Sequence, residues 1–277
     1  MTKTVLITGS TDGLGKAVAE RLARQGWKIL LHGRSEDKGT AVLAELRELT
    51  GNDDIHYCNA DLSSLAVTKR LADEILATQK RLDVLINNAG IGPRAPDSIR
   101  TLSKDDNELF LSVNYLAGYL LARQLLPLLS KSAPSRVINV ASIAQVPLNF
   151  DDIMLDNDYS DYRAYSQSKL AQIIHTNTMA KQYTNSGVTF NSLHPATLMS
   201  TNMVTNSTSL PDSMSTVDDG ADALERLVVS DAIAQKSGFY FNEQNEEKAN
   251  AQAYDANAQK ELMAASEMLI KNAAKSE

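Results

Sequence analysis

The stretch from Val5 to Gln25 constrains the fold of this chain more than any other. Val5-Leu6-Ile7 is a short apolar run suited to a buried strand. It leads through Thr8-Gly9-Ser10-Thr11-Asp12-Gly13-Leu14-Gly15 into an amphipathic helix. Strand, glycine turn and helix start make an anion-binding corner, because glycines permit tight backbone geometry and helix-terminal N–H groups attract a pyrophosphate. The spacing G-x-x-x-G-x-G departs from G-x-G-x-x-G, so the context, more than the glycines alone, predicts dinucleotide binding by Gly9, Ser10, Thr11, Gly13, Leu14 and Gly15.

The alternation continues along the chain. Strands at 3–8, 28–32, 55–58, 82–86, 137–140 and 188–193 are separated by helical patterns at 35–49, 64–78, 103–130 and 162–185, with a bend expected at Pro127. A helix at 218–229, a strand at 238–241 and a helical tail over 250–273 follow. This order predicts an α/β, Rossmann-type, doubly wound parallel sheet of about seven strands with helices on both faces, its ligand crevice beyond the carboxyl strand ends. The 277 residues are 43% hydrophobic and no Pro/Gly/Ser linker divides them, so 1–277 is expected to form one domain. Residues 199–217, rich in Ser, Thr and Met with Met199, Met203 and Met214, form a candidate substrate lid.

Composition narrows the function classes. A net charge of -7 without a Lys/Arg run argues against nucleic-acid or anionic-membrane surfaces. His32, His56, His175 and His194 lack a zinc-ligand grouping, so no metal is expected. Cys58 alone cannot form an internal disulfide, which fits a reducing compartment. With neither a signal-peptide pattern nor a spanning segment, the expectation is a cytoplasmic protein.

Chemistry-bearing residues fall at the strand ends. Gly33-Arg34 ends the second strand, where an arginine accommodates a 2′-phosphate, so NADP(H) is favoured and NAD(H) stays open. Lys38 would add to that charge and Asp12 would oppose it. Asn87-Asn88-Ala89-Gly90 closes the fourth strand with small residues that let a ligand approach. Ser142 follows the fifth, and Asn114 sits among apolar helix positions where its amide needs partners. Tyr165 and Lys169 lie four apart on one helix face. An ammonium about 4 Å from a phenol is worth roughly 4 kcal/mol at an effective dielectric of 20, or about three pKa units, which predicts an acidified Tyr165. Tyr159 is followed four residues later by Arg163 and Tyr162 by Ser166, so of these three tyrosines only Tyr165 has the lysine.

Taken together, residues 3 to 242 resemble the short-chain dehydrogenase/reductase family. Thr8 to Gly15 look like its T-G-x-x-x-G-x-G cofactor turn, Asn87 to Gly90 match its N-N-A-G segment, and Asn114, Ser142, Tyr165 and Lys169 resemble its catalytic tetrad. The 22 residues between Ser142 and Tyr165, the His32-Gly33-Arg34 turn and Asp61-Leu62-Ser63-Ser64-Leu65 are similar to the retinol-dehydrogenase-like and protochlorophyllide-reductase-like branch. The resemblance implies hydride transfer between NADP(H) and a small carbonyl or secondary alcohol. Tyr165 would be the acid or base, Ser142 would hold the oxygen, Lys169 would hold the ribose hydroxyls, and Asn114 would keep a water in a proton relay. It also implies cofactor contacts at Asp61, Leu62, Asn88, Ala89, Gly90, Pro195, Leu198 and Ser200, and a possible homo-oligomer. Ala196 stands where the family usually has glycine, which bears on the contacts near Leu198 and Ser200. NAD-dependent alcohol oxidation and a non-catalytic dinucleotide sensor are the alternatives.

Overall fold

The central strands are apolar at consecutive positions because helices cover both faces of the sheet. The computed structural model describes residues 2–95, 98–208 and 210–275. Side chains alternate across a strand, and along β1 (Thr4–Ile7) Val5 and Ile7 enter one apolar layer while Leu6 enters the other. β2 (Lys28–Gly33) divides in the same way, with Ile29 and Leu31 against Leu30. The first layer is closed by α1 (Gly13–Arg24), α2 (Glu36–Thr50) and α7 (Val217–Val229), through Val18, Leu22, Leu46 and Leu224. The second is closed by α3 (Leu65–Thr78) and α4 (Ala117–Lys131), through Leu71, Ile75, Leu121 and Leu125. A strand buried on both faces thus has no polar side to display.

The sheet runs β3 (Ile55–Asn59), β2, β1, β4 (Val84–Asn87), β5 (Ser135–Val140), β6 (Val188–His194), β7 (Phe239–Asn242), β8 (Asn245–Glu247). The pairings are parallel except β7 with β8. β8 is an eighth strand beyond the seven expected. It is exposed and polar, so it carries no apolar signature, and a two-residue turn with Glu243 at φ 53° folds it back. Asn87 and Asn139 face each other in the β4–β5 register. Asn87 Nδ2 donates to Asn139 Oδ1 at 2.8 Å, and Asn139 Nδ2 donates to Thr176 Oγ1 at 2.8 Å.

The helix expected over 103–130 begins later. Ser103 to Asn107 form a turn with Asp106 at φ 58°, and Leu102 bridges Glu108. The Glu108 carboxylate then accepts from the N–H groups of Phe110 and Leu111, at 2.9 and 2.7 Å, and starts the helix. A π-helical turn, Leu111–Leu116, precedes α4, and Pro127 lies inside α4. Apolar periodicity cannot separate a π turn from an α turn, so this was invisible in the sequence.

α5 (Asp161–Gln182) starts after Ser160, whose Oγ accepts from the Arg163 N–H. The expected C-terminal helix is α8 (Ala256–Ala273), which packs on α5 and buries Leu262 and Leu269. The segment over 199–217 expected as a lid is more ordered than a plain loop: Met199 pairs with Ser215, and α6 (Asn202–Thr205) forms one short turn. Its Ser209 lies outside the described residues. Among the described residues, no helix is long and apolar enough to cross a membrane.

Candidate functional site

The strand order reverses between β1 and β4, which opens a crevice at their carboxyl ends. Gly9 turns the chain there at φ 65°, and a Cβ on it would stand 2.8 Å from Ala89 Cα. At Gly15 a Cβ would meet Gly9 O at 2.5 Å and Asn88 Nδ2 at 2.6 Å. Backbone crowding, more than turn geometry, therefore requires glycine at position 15. Gly15→Ala is expected to weaken dinucleotide affinity at least about tenfold, equivalent to about 1.4 kcal/mol. An equilibrium titration giving unchanged affinity would contradict it.

His32 holds the turn from beneath. Its Nδ1 accepts from the Gly9 N–H at 3.1 Å, and its Nε2 faces Ala60 O at 3.1 Å. Burial lowers its pKa to about 4, so the ring is neutral, and these partners place the proton on Nε2. Thr8 Oγ1 accepts from the N–H groups of Asn88 and Ala89, while Asn88 Nδ2 donates to Thr8 O and Gly9 O, tying the two strand ends together.

One cavity of about 1010 Å³ runs from this turn to the lid. Of the sequence-predicted cofactor residues, it is lined by Gly9, Thr11, Gly13, Leu14, Gly15, Arg34, Asp61, Leu62, Asn88, Ala89, Gly90, Pro195 and Leu198. Ser10 is elsewhere: its buried Oγ donates to Ile7 O and accepts from the His32 N–H. Ser200 is exposed outside the cavity, its N–H given to Ser215 O. Leu198 sits at φ 48°, a left-handed backbone that a branched side chain rarely adopts, beside the Pro195-Ala196 step.

Ser142, Tyr165 and Lys169 face the same cavity. The Ser142 hydroxyl lies near enough to Tyr165 to lower the phenol's pKa, and Ser142 Oγ accepts from the Ala144 N–H at 3.1 Å. Asn114 stands behind the wall: its Oδ1 accepts from the Ile91 N–H at 2.8 Å, and its Nδ2 donates to Ile91 O and Ser168 Oγ. These bonds tie the amide to the backbone after Gly90 and to α5.

The expected acidification of Tyr165 is not what this geometry gives. Lys169 Nζ lies 5.7 Å from the Tyr165 ring centroid and donates to Val140 O at 2.7 Å. Burial, the largest influence, holds the phenol above its ordinary value, partly offset by the nearby Ser142 hydroxyl. Burial also lowers Lys169 to about 7, which weakens its positive charge near neutral pH. Desolvation outweighs the pairwise attraction assumed from spacing.

The expected roles of Asp12 and Lys38 meet in one pair, and other site residues escaped the sequence reading. Asp12 caps α1 and takes hydrogen bonds from Lys38 Nζ at 2.7 Å and from Asn202 Nδ2 of the lid, also across a short contact. Lys38 and Asp12 therefore neutralise one another. Tyr240 OH donates to Ser142 O at 3.2 Å. Arg94 and Asp161 pair at the cavity edge, 67 positions apart. Only Asp161 had a readable signal: it is one and two helical turns before Tyr165 and Lys169 on one stripe of α5. Asp61 is held below the ordinary carboxylate value because bonds from Lys104 and Ser63 overcome its burial. Among the described residues no His/Cys/Asp/Glu group is arranged for a metal.

Comparisons with known proteins agree with this geometry. The short chain dehydrogenase family profile matches residues 3–211. Human retinol dehydrogenase 13 is 39% identical over 70% of this chain and 58% of its own length. Human retinol dehydrogenase 14 is 33% identical over 97% of this chain and 86% of its own. The chain spans about 51 to 62% of the length of the first three curated relatives it matches. A short chain dehydrogenase from Escherichia coli CFT073 complexed with NADPH is 26% identical, with a TM-score of 0.71 over 88% of this chain and 97% of that one. A Shigella flexneri 2a relative complexed with NADP gives 0.70 at 26% identity, with the same coverage. This chain belongs to the short-chain dehydrogenase family, in its retinol-dehydrogenase-like branch.

Proposed function

We propose that the protein reduces a small-molecule carbonyl compound with NADPH, with Tyr165 as the proton donor. The observation that carries this is the placement of Tyr165 and Ser142 together on the wall of the cavity that reaches the glycine turn. The cavity fits a dinucleotide: side chains are excluded at Gly9 and Gly15, the α1 N-terminus faces the turn, and Arg34 stands exposed on the lining. Relatives solved with NADP and NADPH support the choice of cofactor.

The nicotinamide, when bound, supplies the hydride. The chain's own groups then place and protonate the oxygen. Ser142 donates a hydrogen bond to it, stabilising developing negative charge. Tyr165, kept protonated at neutral pH by its burial, is ready to give its proton. Lys169 lies behind the phenol, where it can hold a ribose hydroxyl. Asn114 fixes Ile91 and thus the wall beside Gly90. Incubating the protein with NADPH and a panel of aldehydes and ketones, and following the loss of reduced-nicotinamide absorbance, tests the reaction. No turnover with any of them, despite tight NADPH binding, would instead favour a dinucleotide sensor.

Arg34 carries the cofactor preference. Arg34→Ala is expected to lower the NADPH-to-NADH affinity ratio by about tenfold or more, the equivalent of a charged hydrogen bond of about 1.5–3 kcal/mol. Paired titrations measure it, and an unchanged ratio removes the 2′-phosphate role from Arg34.

A further inference from the structure

Asp161, Tyr165 and Lys169 occupy successive turns on one face of α5, and the last two line the cavity. Asp161 has no place in the proton chemistry, yet its side chain is 3% exposed. Its carboxylate accepts from the Arg94 N–H at 3.0 Å, from Arg94 Nε at 3.2 Å and from the Tyr159 hydroxyl at 2.6 Å. A buried carboxylate with one arginine on both its backbone and its side chain holds that residue in place. Arg94 in turn receives the lid: its carbonyl accepts from the Thr208 N–H at 2.8 Å, and Ser207 Oγ donates to Pro93 O at 2.7 Å. Pro93, Arg94 and Ser207 all line the cavity. A continuous hydrogen-bonded path thus runs from the helix that carries Tyr165, through Arg94, to the lid.

Given the carbonyl reduction proposed above, we propose that the Asp161–Arg94 pair is a positioning device for the substrate: it docks the lid at 207–208 against the Tyr165 helix and so sets how tightly a carbonyl compound is held there. The dinucleotide end of the cavity is formed mainly by the glycine turn and the β4 end, which the lid meets through Asn202 rather than at 207–208, so the pair is expected to act more on the carbonyl compound than on the dinucleotide.

Arg94→Met removes the guanidinium but keeps the backbone N–H bond, and Asp161→Asn removes the charge at constant size. Amide hydrogen exchange over 201–208, NADPH affinity by titration, and KM and kcat for a carbonyl that the unsubstituted protein reduces are compared. For Arg94→Met, exchange at Thr208 is expected to quicken and KM to rise, each by about tenfold, with kcat falling less than KM rises and NADPH affinity shifting less than about threefold. Arg94→Lys should restore part of the Thr208 protection. Unchanged exchange in Arg94→Met overturns the proposal, as does an equal loss of NADPH affinity and substrate affinity, which is the mark of general loosening. If Asp161→Asn does not fold, Arg94→Met decides alone. Absence of any carbonyl turnover in the unsubstituted protein would sink the proposed reaction, while the exchange measurement would still judge the docking of the lid.

Discussion

Tyr165→Phe is expected to reduce carbonyl turnover by about 10²- to 10⁴-fold, the range that a positioned proton donor contributes, while NADPH affinity moves little. The substitution removes one oxygen and leaves the ring. The ring's packing beside Phe110, Leu155 and Ala164 is therefore preserved, and Ser142 keeps its bond from the Ala144 N–H. Because burial holds the phenol above its usual value, the protonated form dominates at neutral pH, and the reductive rate should hold up to high pH. Steady-state kinetics with a titrated cofactor measure both quantities. Turnover within a few-fold of the unsubstituted protein would remove Tyr165 from the chemistry.

Lys169→Met is expected to lose activity and gain stability together. The buried ammonium titrates near 7 against an ordinary 10.5, so between those values the folded chain binds fewer protons than the unfolded one, and stability rises with pH across that window. At pH 7 the penalty is on the order of 4 kcal/mol at 1.36 kcal/mol per pKa unit, and methionine removes it. The loss of the bond to Val140 O returns about 1–3 kcal/mol. What is left corresponds to roughly a 5 °C rise in Tm at pH 7, shrinking at pH 9, where the unsubstituted protein escapes more of the penalty. Turnover should fall by about 10²-fold or more. Thermal denaturation at the two pH values checks the sign, and a variant less stable at pH 7 would show that the ammonium is not strained by burial.

Residues whose roles follow from neighbours in sequence were legible. The consecutive apolar positions of β1 and β2 announced a sheet covered on both faces, the glycine turn announced the crevice, and the Tyr165–Lys169 spacing put both groups on one face. Energies were less legible than positions. Spacing gave the attraction between Tyr165 and Lys169 but not the desolvation, which depends on everything packed around α5. Contacts made at long range were not legible at all: Arg94 meets Asp161, and Asn202 meets Asp12, only once the sheet has brought the loops together. β8 lacked a signal because a polar edge strand resembles any exposed loop.

The asparagine pair across β4 and β5 has a consequence for assembly. Leucine, isoleucine and valine side chains are near-interchangeable, so an apolar strand could slide along its neighbour with modest loss. A slip of one residue, however, would turn Asn87 or Asn139 into the opposite oily layer, where each stranded amide costs about 1–3 kcal/mol. The two amides act as a key in a lock for these strands, and Asn88 and Ser142 emerge just beyond them. A misthreaded sheet is thus penalised most where it would displace the residues that line the cavity.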